Sequence, residues 1–338
     1  MSLDYYSFDK VYSFNATYMF VIGARGLGKT YGAKKKVISA FLRNGEQFIY
    51  LRRYSTELRG RGTFFADIQH EFPDTDFRVN GQFAQCSPAS ERKTKHREWK
   101  TLGYFVQLSN AQAQKSVAYP QVTTIIYDEF IIEKGALHYL PDEAKAFNDF
   151  YSTVDRWKDK TRVLFLANAV SIMNPYFLEY GIEVNEGTGE FIRKHDGFIV
   201  CHFADSAKFA TGVFQTNFGR FIQGTEYAEY SVQSQFKDNT DRMVGFKPRE
   251  AKYAFTLETR KGTFSVWGDS TYARWFIQEK RPKLEVVYTL VPEWMGEGKF
   301  LMGYTDRLLQ MLRSAFKGDR VRFDSPRAFN TFVEVFRR

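Results

Sequence analysis

Cysteine is nearly absent from this 338-residue chain, in which Cys86 and Cys201 are the only two. So small a supply excludes a disulfide framework and a cysteine-rich zinc site, and it fits a reducing, intracellular compartment. Long apolar runs are missing as well. The longest, around Val163–Ala169, falls far short of the ~20 residues that span a bilayer, so no integral membrane protein is indicated. The first twenty residues carry Asp4 and Asp9 and no clean apolar stretch, which argues against a secretory signal. Neither a low-complexity tract nor an internal repeat is apparent. An N-K-x-D guanine motif is also absent, which weakens a GTPase reading.

Apolar residues and positive charge are plentiful. Hydrophobic residues make up 43% of the chain, with 34 Phe and 20 Tyr, enough for a sizeable core and too much for wholesale disorder. The net charge is +9, and residues 241–338 hold 7 of that surplus. Basicity concentrated in the last third suggests a polyanion partner there, most plausibly nucleic acid.

The first half has an α/β texture. Tyr18–Gly23, Gln47–Leu51, Thr123–Tyr127, Val163–Ala167 and Phe198–Phe203 are short runs rich in β-branched and aromatic residues. They are separated by helical or loop stretches such as Lys29–Arg43. This is the pattern of a mainly parallel sheet covered on both faces. Between residues 77 and 108, Gly81, Pro88 and Gly103 punctuate alternating stretches that predict an inserted hairpin or small lid. It carries a basic cluster of Arg92, Lys93, Lys95, His96, Arg97 and Lys100. Residues 206–245 are polar and predict a linker subdomain after an ATPase domain at 1–205. Beyond it, Lys252–Glu258, Gly262–Gly268 and Arg274–Lys280 predict three successive strands, Glu285–Leu290 a fourth, and Leu301–Ala315 a helix. Residues 246–338 are therefore expected to form a small, basic α+β domain.

The chemistry is concentrated in three strand ends. Gly23-Ala24-Arg25-Gly26-Leu27-Gly28-Lys29-Thr30 fits G-x-x-x-x-G-K-[ST], follows an apolar strand and opens a helix. Glycines there let backbone N–H groups cradle phosphates, Lys29 neutralises them, and the Thr30 hydroxyl ligates Mg²⁺. Arg25 is expected to touch phosphate, a neighbouring subunit or solvent. Asp128 and Glu129 end the strand Thr123–Tyr127: the aspartate is expected to hold Mg²⁺ and the glutamate to activate the attacking water. This places the chain in the additional-strand, catalytic-glutamate division of P-loop NTPases, with Gln47–Leu51 as the strand in between. Asn168, at the end of the next buried strand, is a candidate γ-phosphate sensor. Arg156, with Lys158 and Arg162 behind it, is a candidate cation for a neighbouring subunit's transition state. Lys115 is a second candidate of that kind.

Together these motifs resemble the DNA-packaging ATPases of small tailed phages of the phi-twenty-nine type. The matching stretches are FVIGARGLGKT (20–30), EQFIYLRRY (46–54), KSVAYPQVTTIIYDEF (115–130), LANAVSIMNPYF (166–177) and FGRFIQGTEYAE (218–229). They cover about two thirds of the chain in the same order. The resemblance implies a homopentameric ring docked through a packaging RNA on the portal of a procapsid, with ATP and Mg²⁺ driving double-stranded DNA inward. It implies residence in the host cytoplasm, with transient docking at the portal vertex and no place in the mature virion. By resemblance the arginine finger falls on Arg156 and the trans-acting lysine on Lys115. The C-terminal domain is then similar to an RNase H-type nuclease without its active site, so no nuclease activity is expected; Glu258 and Asp269 are acids in that region without a full metal constellation. After Arg52-Arg53-Tyr54 the family can carry a lysine where this chain has Ser55-Thr56-Glu57-Leu58, leaving Arg59 or Arg61 as substitutes. The competing readings are a helicase-like ATPase, an ATP-switched nucleic-acid-binding protein and, more distantly, a small-molecule kinase.

Overall fold

The computed structural model describes all residues except 1–3, 115–116, 133–137, 170–173, 183–188, 190, 233–243, 270–272, 281–285, 297, 304, 319, 326–327, 330 and 333–338. The chain divides into two compact units, Met1–Lys237 and Asp238–Arg338. Among the described residues no helix is long and apolar enough to cross a membrane.

The first unit opens with α1 (Asp9–Ser13), β1 (Tyr18–Gly23), α2 (Lys29–Asn44) and β2 (Gln47–Arg52). A hairpin follows, β3 (Thr75–Asn80) and β4 (Phe83–Pro88), and then β5 (Lys100–Gln107) and β6 (Val122–Asp128). Next come α3 (Glu143–Asp155), β7 (Arg162–Asn168), α4 (Pro175–Tyr180), β8 (Phe191–Lys194) and β9 (Ile199–Phe203). Among the described residues these strands make one nine-stranded sheet in the order β3-β4-β5-β2-β6-β7-β1-β9-β8. Its middle, from β5 to β9, is parallel. The β3–β4 hairpin and β8 add antiparallel edges.

Alternation along the strands explains why both faces are covered. Tyr18, Phe20 and Ile22 of β1 point into the core beneath α3 and α4, with Phe147, Phe150, Phe165 and Tyr176. Met19 and Val21 point into the core beneath α2, with Val37, Ile38 and Leu164. Much of the aromatic content is spent here: the Phe20 and Phe165 rings stack with centroids 4.1 Å apart. Each such buried side chain contributes roughly 1.5–3 kcal/mol. The helix α2 stops where Gly45 takes a left-handed φ of 72° and donates to the Phe41 carbonyl, a termination glycine suits.

One expectation needs correction. The strand lying between β1 and β6 is β7, whereas Gln47–Leu51, as β2, lies on the far side of β6. Chain order does not set sheet order: α3 carries the chain back over the sheet, and β7 inserts with both faces buried. The stretch expected as an inserted hairpin or lid is a hairpin built onto this same sheet, with β5 as a full member. After β9, residues 206–245 carry α5 (Ala207–Val213), α6 (Asn217–Ile222) and α7 (Glu226–Ser231).

The second unit holds β10 (Lys252–Thr259), β11 (Gly262–Asp269), β12 (Arg274–Gln278), β13 (Val287–Thr289), β14 (Lys299–Leu301), α8 (Arg307–Lys317) and β15 (Val321–Phe323). Among the described residues the sheet order is β14-β13-β10-β11-β12-β15. The β10–β12 meander is antiparallel, while β13, β14 and β15 join it in parallel. Leu309 and Leu312 of α8 pack on Leu257, Val266 and Ile277. The expected helix at Leu301–Ala315 thus starts later, at Arg307, because Leu301 ends β14.

Candidate nucleotide-binding and hydrolysis site

The buried strand β1 ends at Gly23, and the chain turns through Gly26 (φ 78°) and Gly28 (φ 85°) into α2. Both angles lie in the left-handed region that glycine adopts without strain. The first turn of α2 carries no acid, and no side chain caps it. Its leading N–H groups and its positive end therefore face the turn. A cavity of about 250 Å³ opens there, lined by Arg25, Lys29, Thr30, Asp128, Glu129 and Asn168 among others.

Lys29 is buried. Its ammonium donates to the carbonyls of Gly23 (3.1 Å) and Ala24 (2.7 Å) and to Asn168 Oδ1 (3.3 Å). Burial lowers its pKa to about 8, against the opposing pull of Asp128 and Glu129. A desolvated ammonium at a helix N-terminus is a receptor for a polyanion. Asn168 reaches it because β7 pairs with β1 in a register that sets Asn168 beside Gly23.

On the other side of the cavity, Thr30 Oγ1 donates to both oxygens of Asp128, each at 3.1 Å. The Tyr50 hydroxyl, from β2, donates to Asp128 Oδ2 at 2.7 Å. A hydroxyl and a buried carboxylate in contact are the hard oxygen donors that Mg²⁺ takes, so these residues fit the ion. Glu129 follows with a left-handed φ of 56°. Its carboxylate, 58% exposed, pairs with Arg52 Nη2 at 2.5 Å, and Arg52 also holds Glu57 at 3.1 Å.

The remaining sequence candidates lie as follows. Arg25 is exposed at the cavity, and its backbone N–H donates to Ser231 of α7 at 2.8 Å. Arg156 caps the C-terminus of α3 in a left-handed conformation, exposed and away from the residues lining the cavity. Trp157 beside it is 89% exposed. Beneath them Asp155 is buried, and its carboxylate accepts from the backbone N–H groups of Lys158, Asp159, Lys160 and Thr161. Arg162, considered behind Arg156, is committed to Asn15 and Ala16. Lys115 lies outside the described residues. In the basic cluster, Arg92 and Arg97 pair with Asp76, and Arg78 and Arg97 both lie over the Trp99 ring. Lys93, Lys95 and His96 are exposed. Arg61 is engaged by the carbonyls of Leu58 and Gly81. In the second unit Glu258 pairs with Lys299 at 2.7 Å.

Sequence reasoning missed Tyr50 and Arg52, which reach the site from β2, a strand whose neighbour β6 is far away in sequence. It also read the polar segment after residue 205 as a connection only. There Phe209 of α5 packs with Ala24, Leu27 and Ala204 under the phosphate turn.

The family model described as podovirus DNA encapsidation protein (Gp16) matches residues 1–338. A DNA packaging protein of Bacillus phage B103 is 36% identical over 332 residues, which covers 96% of this chain and 98% of that protein. Among solved structures, the viral genome packaging motor assembly of bacteriophage Phi-29 matches with a TM-score of 0.75 and 34% identity over 99% of each chain. The N-terminal domain of the DNA packaging ATPase from bacteriophage phi29 matches with a TM-score of 0.53 and 38% identity. It covers 61% of this chain and 98% of that domain.

Proposed function

The chain belongs to the podovirus DNA encapsidation protein (Gp16) family and is the DNA-packaging motor ATPase of a phi29-like phage, and from that premise we propose that it works as a ring that couples ATP hydrolysis at the β1–β6–β7 strand ends to movement of double-stranded DNA into a procapsid. The observation that carries this reading is the meeting of buried Lys29, the Thr30–Asp128 pair and Glu129 around one cavity.

In this reading the turn Gly23–Thr30 binds the phosphates of ATP, with backbone N–H groups and Lys29 taking their charge. Thr30 and Asp128 would hold Mg²⁺, which when bound neutralises charge on the phosphate oxygens. Glu129 leaves its partner Arg52, orients a water and takes its proton. Asn168, bonded to Lys29, reports whether the γ-phosphate is in place. Arg156 does not line its own chain's cavity and serves a neighbour's, stabilising the charge that develops in the transition state. Lys115 is assigned the same kind of role.

The ring is a homopentamer, docked through a packaging RNA on the portal of the procapsid. It works in the host cytoplasm and is absent from the mature virion. The ATPase domain spans 1–205, residues 206–245 link it to the basic domain at 246–338, and that domain is RNase H-like. The order β12-β11-β10-β13-β14, with an antiparallel meander and two parallel additions, supports the last assignment. The Lys299 partner on Glu258 supports the expectation of no nuclease activity.

The test is steady-state ATP hydrolysis with and without double-stranded DNA, for the wild type and Glu129→Gln. Stimulation by duplex DNA that disappears in the variant is expected. Duplex-independent turnover that survives the substitution would defeat the reading.

A further inference from the structure

Arg52 and Arg53 are consecutive, and both grip the turn that follows β6. Arg52 holds the Glu129 carboxylate. Arg53 holds the backbone: its Nη2 donates to the Phe130 carbonyl at 2.6 Å, and its Nη1 reaches the Glu129 carbonyl at 3.4 Å. Arg52 is the last residue of β2 and Arg53 the first beyond it, so the two consecutive arginines reach the carboxylate and the backbone of one turn.

Arg53 is itself fixed. Its side chain is 1% exposed, and it forms a two-point pair with Glu143, which is 0% exposed. Nε donates to Glu143 Oε2 at 2.7 Å and Nη2 to Oε1 at 2.8 Å. The Glu143 carboxylate also accepts from the Tyr127 hydroxyl (2.9 Å), the Tyr176 hydroxyl (2.8 Å) and the Leu140 N–H (2.8 Å). Every lone-pair direction of the buried anion is therefore used, which is the condition under which such a pair persists. The network joins the residue after β2 to β6, α4 and the first residue of α3, the helix that Arg156 caps.

An apolar core would hold these elements together as well as a buried ion pair does, and often better. What an apolar core cannot do is hold two backbone carbonyls at fixed points beside a left-handed residue. We infer that Arg53 and Glu143 are positioning residues for hydrolysis. Resting on the reading of Glu129 as the base, the pair fixes the backbone of residues 129–130 so that the carboxylate, once it leaves Arg52, swings to one place over the γ-phosphate. A base displaced by about 1 Å loses on the order of a hundredfold in rate without losing its substrate.

The experiment compares the full-length wild type, Arg53→Lys, Glu143→Gln and the double variant Arg53→Met/Glu143→Leu. The double variant removes both charges at once, so no unpaired ion is left to unfold the chain. Steady-state ATP hydrolysis with duplex DNA gives kcat and KM, binding of a fluorescent ATP analogue gives affinity, and thermal denaturation reports the fold. Expected is a fall in kcat of roughly ten- to a hundredfold, with KM and analogue affinity changed by less than about twofold, and Arg53→Lys intermediate. A folded variant with wild-type kcat would overturn the proposal. So would kcat and nucleotide affinity falling together with thermal stability, the mark of a merely structural pair. Glu129→Gln in the same assay separates the two readings. If it still turns over, Glu129 is not the base and the positioning role falls with it. If it is inactive while the pair variants are not, the positioning role falls alone.

Discussion

Arg52 and Glu129 face each other across the gap between neighbouring strand ends β2 and β6, paired at 2.5 Å while Glu129 remains 58% exposed. A carboxylate turned onto a guanidinium is not placed to take a proton from water, so this pairing describes a resting arrangement.

Removing Arg52 should release it. Arg52→Ala is expected to raise hydrolysis in the absence of DNA and to shrink the stimulation DNA gives. The size is bounded: an ion pair with one solvent-exposed partner is worth about 0.2–1 kcal/mol, or at most about fivefold in rate. Basal turnover measured with and without duplex DNA decides. A drop in basal turnover would mean that Arg52 aims Glu129 rather than restrains it.

Lys29 gives a pH signature. With its pKa lowered to about 8 in the nucleotide-free chain, it is charged below that value and neutral above. ATP binding restores an anionic partner, so the bound lysine holds its proton more tightly and binding takes up a proton above pH 8. Nucleotide affinity should be flat between about pH 7 and 8 and weaken by up to about tenfold per unit above. Titration by a fluorescent analogue reads this directly, and Lys29→Met should bind weakly with no such slope. The same linkage makes the empty chain gain stability from this group as pH rises past 8, because the unfolded chain still binds the proton there.

Much of the site is legible in one line of sequence because its parts are local. The phosphate turn depends on glycines and a lysine at fixed spacing, and the two acids sit where an apolar run ends. The Arg52–Glu129 and Tyr50–Asp128 contacts are not legible. They depend on which strand lies beside β6, and apolar periodicity says only that a strand is buried, not between which neighbours. That limit also misplaced Gln47–Leu51 as the intervening strand. The helices at 207–231 escaped for a different reason: α6 and α7 are short, and Phe218 and Phe221 are exposed, so little amphipathic signal marks them. Arg53 and Glu143 lie 90 residues apart, and a buried charge is invisible until its partner is known.

Asp155 should prove a stability residue. Burial pushes its carboxyl up, but four backbone N–H donors outweigh that and hold it below the ordinary carboxylate range. Stability from this group is therefore full above the unfolded pKa near 4 and is lost as pH falls through the lower folded value. Asp155→Ala is expected to cost about 2–4 kcal/mol at neutral pH. Urea denaturation at pH 7 and again below pH 4 tests it: the deficit should narrow at the lower pH. An equal deficit at both would place the effect in packing instead.

Arg156 occupies a position that local energetics assigns to glycine. It ends α3 at φ 53° and ψ 42°, where a side chain is strained by about 1–2 kcal/mol relative to the right-handed region, and its own side chain is exposed. Trp157 and Asp159 are left-handed too, so the corner is held in a costly shape. Strain kept at an exposed residue points to a use beyond the fold. Arg156→Gly should therefore fold at least as stably as the wild type, gaining up to about 1 kcal/mol once the greater freedom of unfolded glycine is deducted. Nucleotide affinity of the isolated chain should be unchanged, because Arg156 does not line its own cavity. Turnover in the assembled motor should fall by about a thousandfold or more, the scale of a lost arginine finger. Mixing Arg156→Gly with Glu129→Gln chains adds the decisive reading. One keeps an intact base and the other an intact arginine, so partial activity should return where the two sit side by side. A mixture as inactive as either parent would show that Arg156 acts within its own chain, and a less stable Arg156→Gly would show that the arginine serves the fold.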